Sequence, residues 1–227
     1  MKIQSLPFAA LLAAALVAGA ARSAPTADFD AMMSHDGLKR VNVKGLSVVY
    51  ARPGATLAGD QRVKIDPVEV AFHKDWKPTR PGSRIPIGAQ ELEPIRTGLA
   101  KLVQQQFVKE LEAKGRYRVV NESGADVLRL RIYIVNLIVN APANVSTGPS
   151  RTFVMSAGEM TLFMELYDSE TGQILARVVD RRQGRTDNMM TMSSRVTNIG
   201  EAEDIAAAWA RILRDALDRA QGAAAKK

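Results

Sequence analysis

Two histidines, His35 and His73, are the whole imidazole inventory of this 227-residue chain, and it contains no cysteine. Without thiols there is no disulfide framework, no thiol nucleophile, no iron–sulfur ligation and no cysteine zinc site. Two histidines so far apart in sequence also exclude a multi-histidine metal centre. His73-Lys74-Asp75, followed by Trp76, is the best acid–base constellation, because an imidazole beside a carboxylate in a long loop can act as a general base. Its plainer reading is a solvated loop histidine among charged neighbours. Serine hydrolase chemistry lacks a Gly-x-Ser-x-Gly elbow, and nucleotide chemistry lacks a glycine-rich phosphate cradle. Met32, Met33 and His35 near the start, with Met189, Met190 and Met192 later, offer soft ligands to Cu(I). Methionine is more commonly an adaptable filler of apolar gaps, so no metal or cofactor is assigned.

The side chains best suited to binding come from alternation along strands. Over 126–139, Leu128, Leu130, Ile132 and Ile134 fall on one side, while Arg129, Arg131 and Tyr133 fall on the other. If helices cover the aliphatic side, the opposite face also gathers Phe163, Glu165, Tyr167, Arg177 and Arg181, with Arg182 nearby. Arginine and aromatic residues dominate binding hot spots, and arginine matches carboxylate or phosphate, which makes this open face the expected contact surface. Cross-strand pairing of arginine with Glu165 on an ordinary wet face is the alternative.

The elements that must position these residues are legible in outline. Leu46–Ala51 and 62–72 read as strands, and Pro67 places the second at a sheet edge or beside a bulge at Asp66. Residues 73–89 carry the proline and glycine of a long loop. Leu92, Ile95, Leu99, Leu102, Val103, Phe107 and Leu111 recur at helical spacing, and Gly115 stops the run. A short strand at 117–120 precedes the long one. Residues 159–168 and 173–182 form a hairpin around Ser169-Glu170-Thr171-Gly172, with Met160, Leu162, Met164 and Leu166 inward, and Ile174, Ala176 and Val178 beside them. A last helix, capped by Asn198 with Glu201, carries an apolar stripe of Ile205, Ala208, Trp209, Ile212, Leu213, Ala216 and Leu217, with Arg211, Arg214 and Arg219 outside it. The order predicts an α+β fold: an antiparallel or mixed sheet of about six strands with two helices packed on one face, a two-layer sandwich.

The start of the chain reads as an export signal. Lys2, an apolar run from Phe8 to Val17 and small residues before Ser23 fit a secretory signal peptide over 1–23, and the run is too short to span a bilayer. The expected organisation is then a flexible leader over 24–37, a single domain over 38–221 and a disordered tail over 222–227. The formal charge of +7 falls to +5 once Lys2 and Arg22 leave with the signal. In the periplasm of a Gram-negative bacterium, such a surplus favours an envelope protein or an anionic envelope component as partner, and not nucleic acid.

Several blocks in order carry a family resemblance: Gly45-Leu-Ser-Val-Val-Tyr-Ala-Arg-Pro-Gly54, Val63-Lys-Ile-Asp-Pro-Val-Glu-Val70, Ala125-Asp-Val-Leu-Arg-Leu-Arg131, Asp168-Ser-Glu-Thr-Gly172, Ala176-Arg-Val-Val-Asp-Arg181 and Trp209-Ala-Arg-Ile-Leu-Arg-Asp215. Over about residues 38–220 the chain resembles the bacterial envelope proteins grouped as domain of unknown function 3313. The resemblance implies an envelope location and brings no catalytic residues with it. Many members of that family look like lipoproteins with a lipidated cysteine, a route closed to a cysteine-free chain. The expected role is a non-catalytic binding or envelope-assembly accessory protein. The alternatives are a hydrolase or transferase acting on an envelope polymer through the 73–89 loop, and a periplasmic copper-handling protein.

Overall fold

Strict alternation of aliphatic and polar side chains along two long strands builds the middle of the molecule, and everything else is arranged on the two faces they create. The computed structural model describes residues 31–79, 84–140, 156–183 and 195–224. Within them run β1 (Lys39–Val41), β2 (Val48–Ala51), β3 (Arg62–Ile65), β4 (Glu69–Phe72), α1 (Ala89–Glu112), β5 (Arg118–Val120), β6 (Val127–Asn140), β7 (Ser156–Asp168), β8 (Ile174–Gln183) and α2 (Arg195–Ala224). The strands form one mixed sheet in the order β1-β2-β8-β7-β6-β3-β5, with β4 also on β6. Pairing is antiparallel from β1 to β6, whereas β3, β4 and β5 join in parallel.

The face that alternation marked as apolar is the core. Leu128, Leu130, Ile132 and Ile134 from β6, with Met160, Leu162, Met164 and Leu166 from β7, are at most 3 % exposed. Both helices close over them. Ile95, Leu99, Val103, Phe107 and Leu111 descend from α1, and Ala206, Trp209, Leu213 and Leu217 from α2. Each large side chain buried in this way contributes roughly 1.5–3 kcal/mol, so this layer is the main source of stability. Trp209 is also tied by a polar contact, its Nε1–H donating to Asp180 Oδ2 at 2.7 Å. The Asp180 carboxylate accepts further bonds from the Ser47 amide and hydroxyl and from Arg182. Burial acts to raise its pKa, yet these donors hold it below the ordinary carboxylate value.

The α+β class and the helices on one face are as expected, with eight strands in place of six. The strand anticipated over 62–72 is two, because Pro67 offers no N–H. Asp66 still donates to the Leu130 carbonyl, and the ladder resumes on the same neighbour at Glu69. β1 was not anticipated, since its three residues are all exposed and show no alternation. The hairpin turn has Gly172 at φ 70°, and the Asp168 side chain accepts from the amides of Glu170 and Thr171. Beside it a bulge pairs Leu166 with Ala176 but Tyr167 with Ile174. The extra residue turns Ile174 to the face opposite Ala176 and Val178, correcting its expected inward position.

The terminal helix begins at Arg195, so Asn198 lies within it and is not its cap, and it continues to Ala224 into the expected tail. Arg214 is buried against α1 and does not face solvent. Its Nη1 donates to the Glu110 carboxylate and carbonyl, and its aliphatic stem lies between the helices. The larger correction concerns the leader. Residues 31–34 form a helical turn and His35–Gly37 a 3₁₀ turn. They lie on the sheet face away from the helices, where Met33 is fully buried. Residues 1–30, the expected signal among them, are outside the described residues. None of the described helices is long and apolar enough to cross a membrane.

Candidate functional site

The outer face is a grid of four strands whose rows follow from their register. One row runs Arg129–Tyr167, the next Arg131–Glu165–Arg177–Tyr50, the next Tyr133–Phe163–Val179–Val48, and the last Val135–Thr161–Arg181. The seven residues expected to share a surface, Arg129, Arg131, Tyr133, Phe163, Tyr167, Arg177 and Arg181, therefore do stand on one face. They do not share one environment. Tyr133, Phe163 and Arg177 are 8 %, 2 % and 3 % exposed, so the expectation of an openly wetted face fails for them. The reason is the segment 31–38. Met33 and Leu38 pack with Tyr50, Tyr133, Phe163, Ile174 and Val179 into a second apolar cluster, separated from the main core by the sheet itself.

Arg177 holds that segment down. Its Nε donates to Glu165 Oε1 at 2.8 Å, its Nη2 to Asp36 Oδ2 at 2.6 Å, and its Nη1 to His35 Nδ1 at 2.7 Å and the His35 carbonyl at 3.1 Å. Because a guanidinium only donates, His35 Nδ1 accepts and the ring proton sits on Nε2, which faces Asp36 Oδ2 at 3.0 Å. The 3.1 Å approach of Nδ1 to the Met32 carbonyl then brings two acceptors together and is not a hydrogen bond. Arg52 completes the clasp, donating to the carbonyls of Asp36 and Ile174. The pairing of Arg177 with Glu165 that served as the plain alternative is thus present and buried.

Elsewhere on the face Thr161 is buried, Arg129, Arg131 and Tyr167 are partly exposed, and Arg181 is open. Arg129 makes a bidentate pair with Asp66, at 3.0 Å from Nε and 2.7 Å from Nη2, and Arg131 approaches the same carboxylate at 3.5 Å. The Arg131 guanidinium also lies 5.9 Å from the centre of the Tyr167 ring. Tyr167 donates to Glu165 at 2.7 Å, and burial together with that bond pushes its pKa up to about 12, against the pull of Arg131. Arg181 is the most exposed of the set and pairs with Glu159. Arg182 belongs elsewhere, reaching Asp180 and the Gly45 carbonyl. Asp66 and Asp36 escaped the sequence reading as site residues. Pro67 marked an edge or bulge beside Asp66, and a carboxylate at that break facing an arginine strand is the signal that was present, whereas Asp36 lay in the expected leader.

The other two constellations fare differently. His73 Nδ1 accepts from the Asp75 backbone N–H at 3.2 Å, a local turn bond made by the main chain and not by the carboxylate. Trp76 stacks on Phe72 with ring centres 4.9 Å apart. Of the methionine–histidine set, Met33 is packed in the second cluster and His35 faces Arg177, while Met189, Met190 and Met192 lie outside the described residues.

The profile of a protein family of unknown function, DUF3313, matches residues 28–213. The chain belongs to the DUF3313 family. The match starts before the strands and takes in the segment that covers the outer face. No curated protein matches the chain. Solved structures similar to it include a DUF330 protein from Xanthomonas campestris, at 11 % identity and a TM-score of 0.39 over 74 % of this chain and 93 % of that one. They also include the PelC dodecamer from Paraburkholderia phytofirmans, at 11 % identity and 0.35 over 71 % and 98 %. A minor lipoprotein from Acinetobacter baumannii has 12 % identity and a TM-score of 0.32 over 69 % and 94 %.

Proposed function

We propose that this DUF3313 member is a non-catalytic binding module, exported to the periplasm, that engages an anionic envelope component or an acidic envelope protein. Its contact surface is the open part of the outer sheet face, formed by Arg129, Arg131, Tyr167 and Arg181. The observation that carries the reading is the Arg131 guanidinium lying over the Tyr167 ring beside Arg129, on strands fixed from behind by the helix layer. A rigid sheet holds these side chains at set spacing, so a carboxylate or phosphate can meet donors without ordering a loop first. Asp66 is the intramolecular stand-in for such a ligand, since it already takes the bidentate geometry of Arg129.

The test is in-cell crosslinking of the chain and of an Arg129→Glu/Arg131→Glu variant, followed by mass spectrometry of what each captures. A defined envelope partner recovered by the first and lost by the folded second is the expected result. Equal recovery by both removes this surface. Cell fractionation with a periplasmic marker checks the location independently.

A further inference from the structure

The segment 31–38 is held on the outer face as a ligand is held. Two of its apolar side chains, Met33 and Leu38, are sunk among Tyr50, Tyr133, Phe163, Ile174 and Val179, Met33 completely. Three residues on from Met33, the Asp36 carboxylate meets Nη2 of the buried Arg177 fork, whose Nη1 reaches the main-chain carbonyls of Met33 and His35 and the His35 ring. The segment adds no strand to the sheet, and its second turn is closed by the Leu38 amide on the Ser34 carbonyl. Asp36 stands at φ 70°, a conformation that suits glycine better than aspartate. The main core lies wholly on the other side of the sheet and takes nothing from residues 31–38.

From this juxtaposition we propose that the groove beneath residues 31–38 is a peptide-docking site, occupied in cis by the chain's own arm. Its other occupant is a segment of a protein partner carrying a methionine-like side chain followed three residues later by a carboxylate. The groove's two specific features set that chemistry: an apolar well that takes Met33 and Leu38, and a guanidinium whose fork is already oriented by Glu165. The arm is a competitor for the site, so partner binding is weaker than the groove itself allows by the fraction of time the arm is down. The inference extends the reading of the outer face as a binding surface but draws no contact from Arg129, Arg131 or Arg181, so it is tested by binding at the groove and not by charge reversal at Arg129 and Arg131.

The test uses the full chain with Met33→Asp, which places a carboxylate against the apolar well and lifts the arm. The probe is a fluorescent peptide of sequence Ala-Met-Met-Ser-His-Asp-Gly-Leu, and its control carries lysine in place of the aspartate. The expected result is saturable binding of the probe to the folded variant, at least about tenfold weaker binding of the control, and weaker binding of the probe to the unaltered chain. Any one of three results overturns the proposal: no binding to the folded variant, binding indifferent to the peptide's charge, or loss of the fold on Met33→Asp, which would make the arm part of the core. Hydrogen exchange on the unaltered chain is a second measurement. The Leu38 amide must exchange faster than the amides of β6 and β7, and equal protection would mean that the arm opens only when the whole molecule unfolds.

Discussion

The two faces of one sheet are built by opposite means. Behind β6 and β7, aliphatic side chains meet two helices, and the polar contact at Asp180 is saturated by Ser47, Arg182 and Trp209. In front, aromatic and aliphatic side chains share the surface with the buried ion pair of Arg177 and Glu165, and the cover is the short segment 31–38. An apolar layer gains stability from area alone. A face with a buried ion pair gains little net stability from the pair, but it becomes intolerant of losing one member. What this difference teaches is that the inner face makes the fold, and the outer face selects what lies on it.

The largest expected effect tests the inner layer. Trp209→Ala removes the biggest fully buried side chain and one of the two donors to Asp180 Oδ2, and should cost about 4 kcal/mol in denaturant unfolding. A loss below about 1 kcal/mol would place the stabilising layer elsewhere. On the outer face, Arg177→Met leaves Glu165 buried without its cation and should cost about 3 kcal/mol. The two faces part company at the second step. Adding Glu165→Leu to Arg177→Met should restore more than half of that loss, because no carboxylate then stays buried on the sheet without its cation, while no comparable second change repairs Trp209→Ala. Failure of the double variant to recover would mean that the ion pair has a net stabilising value, as the saturated contact at Asp180 has.

The contrast also explains what could be read from sequence. Leu128 to Ile134 and Met160 to Leu166 obey a two-residue period, and the period alone identified the core strands and the face the helices cover. The same period put Arg129, Arg131, Tyr133, Phe163, Tyr167, Arg177 and Arg181 together on the other side. It was silent on their cover, because residues 31–37 show neither helical nor strand periodicity and read as a leader. Met33 was legible only as a methionine, and its burial is a tertiary fact. Ile174 misled for a related reason: a bulge inserts one residue, and a single insertion moves a side chain to the opposite face.

Smaller effects separate the open part of the outer face from the covered part. Arg129 and Asp66 form a well-aligned but partly solvated pair, so Arg129→Ala should cost about 1 kcal/mol or less, well under the loss at Arg177. Thermal unfolding of the two single variants in parallel checks the ranking, and equal losses would erase the distinction between covered and open arginines.

The smallest effect lies at the rim, where the loop before β3 meets the end of α2. Gln221 donates to the Asp60 carbonyl, and partial burial, with Asp168 and Asp126 nearby, raises the Asp60 carboxyl from its ordinary value to about 6. A carboxyl whose pKa is higher folded than unfolded binds its proton more tightly in the native state. Its ionisation therefore penalises folding: the penalty is absent below about pH 4, grows between there and pH 6, and is complete above. Neighbouring carboxylates act the other way, since donors hold Asp126 and Asp168 below the ordinary value and their contribution is lost on acidification. Asp60→Asn removes one term and leaves the others. At pH 7.5 it should raise stability, by about 1 kcal/mol or less because solvent screens a half-buried group, and at pH 4 it should change nothing. Melting curves of both chains at the two pH values decide the matter. A gain of the same size at pH 4 would trace the effect to packing at the rim, with no part played by charge.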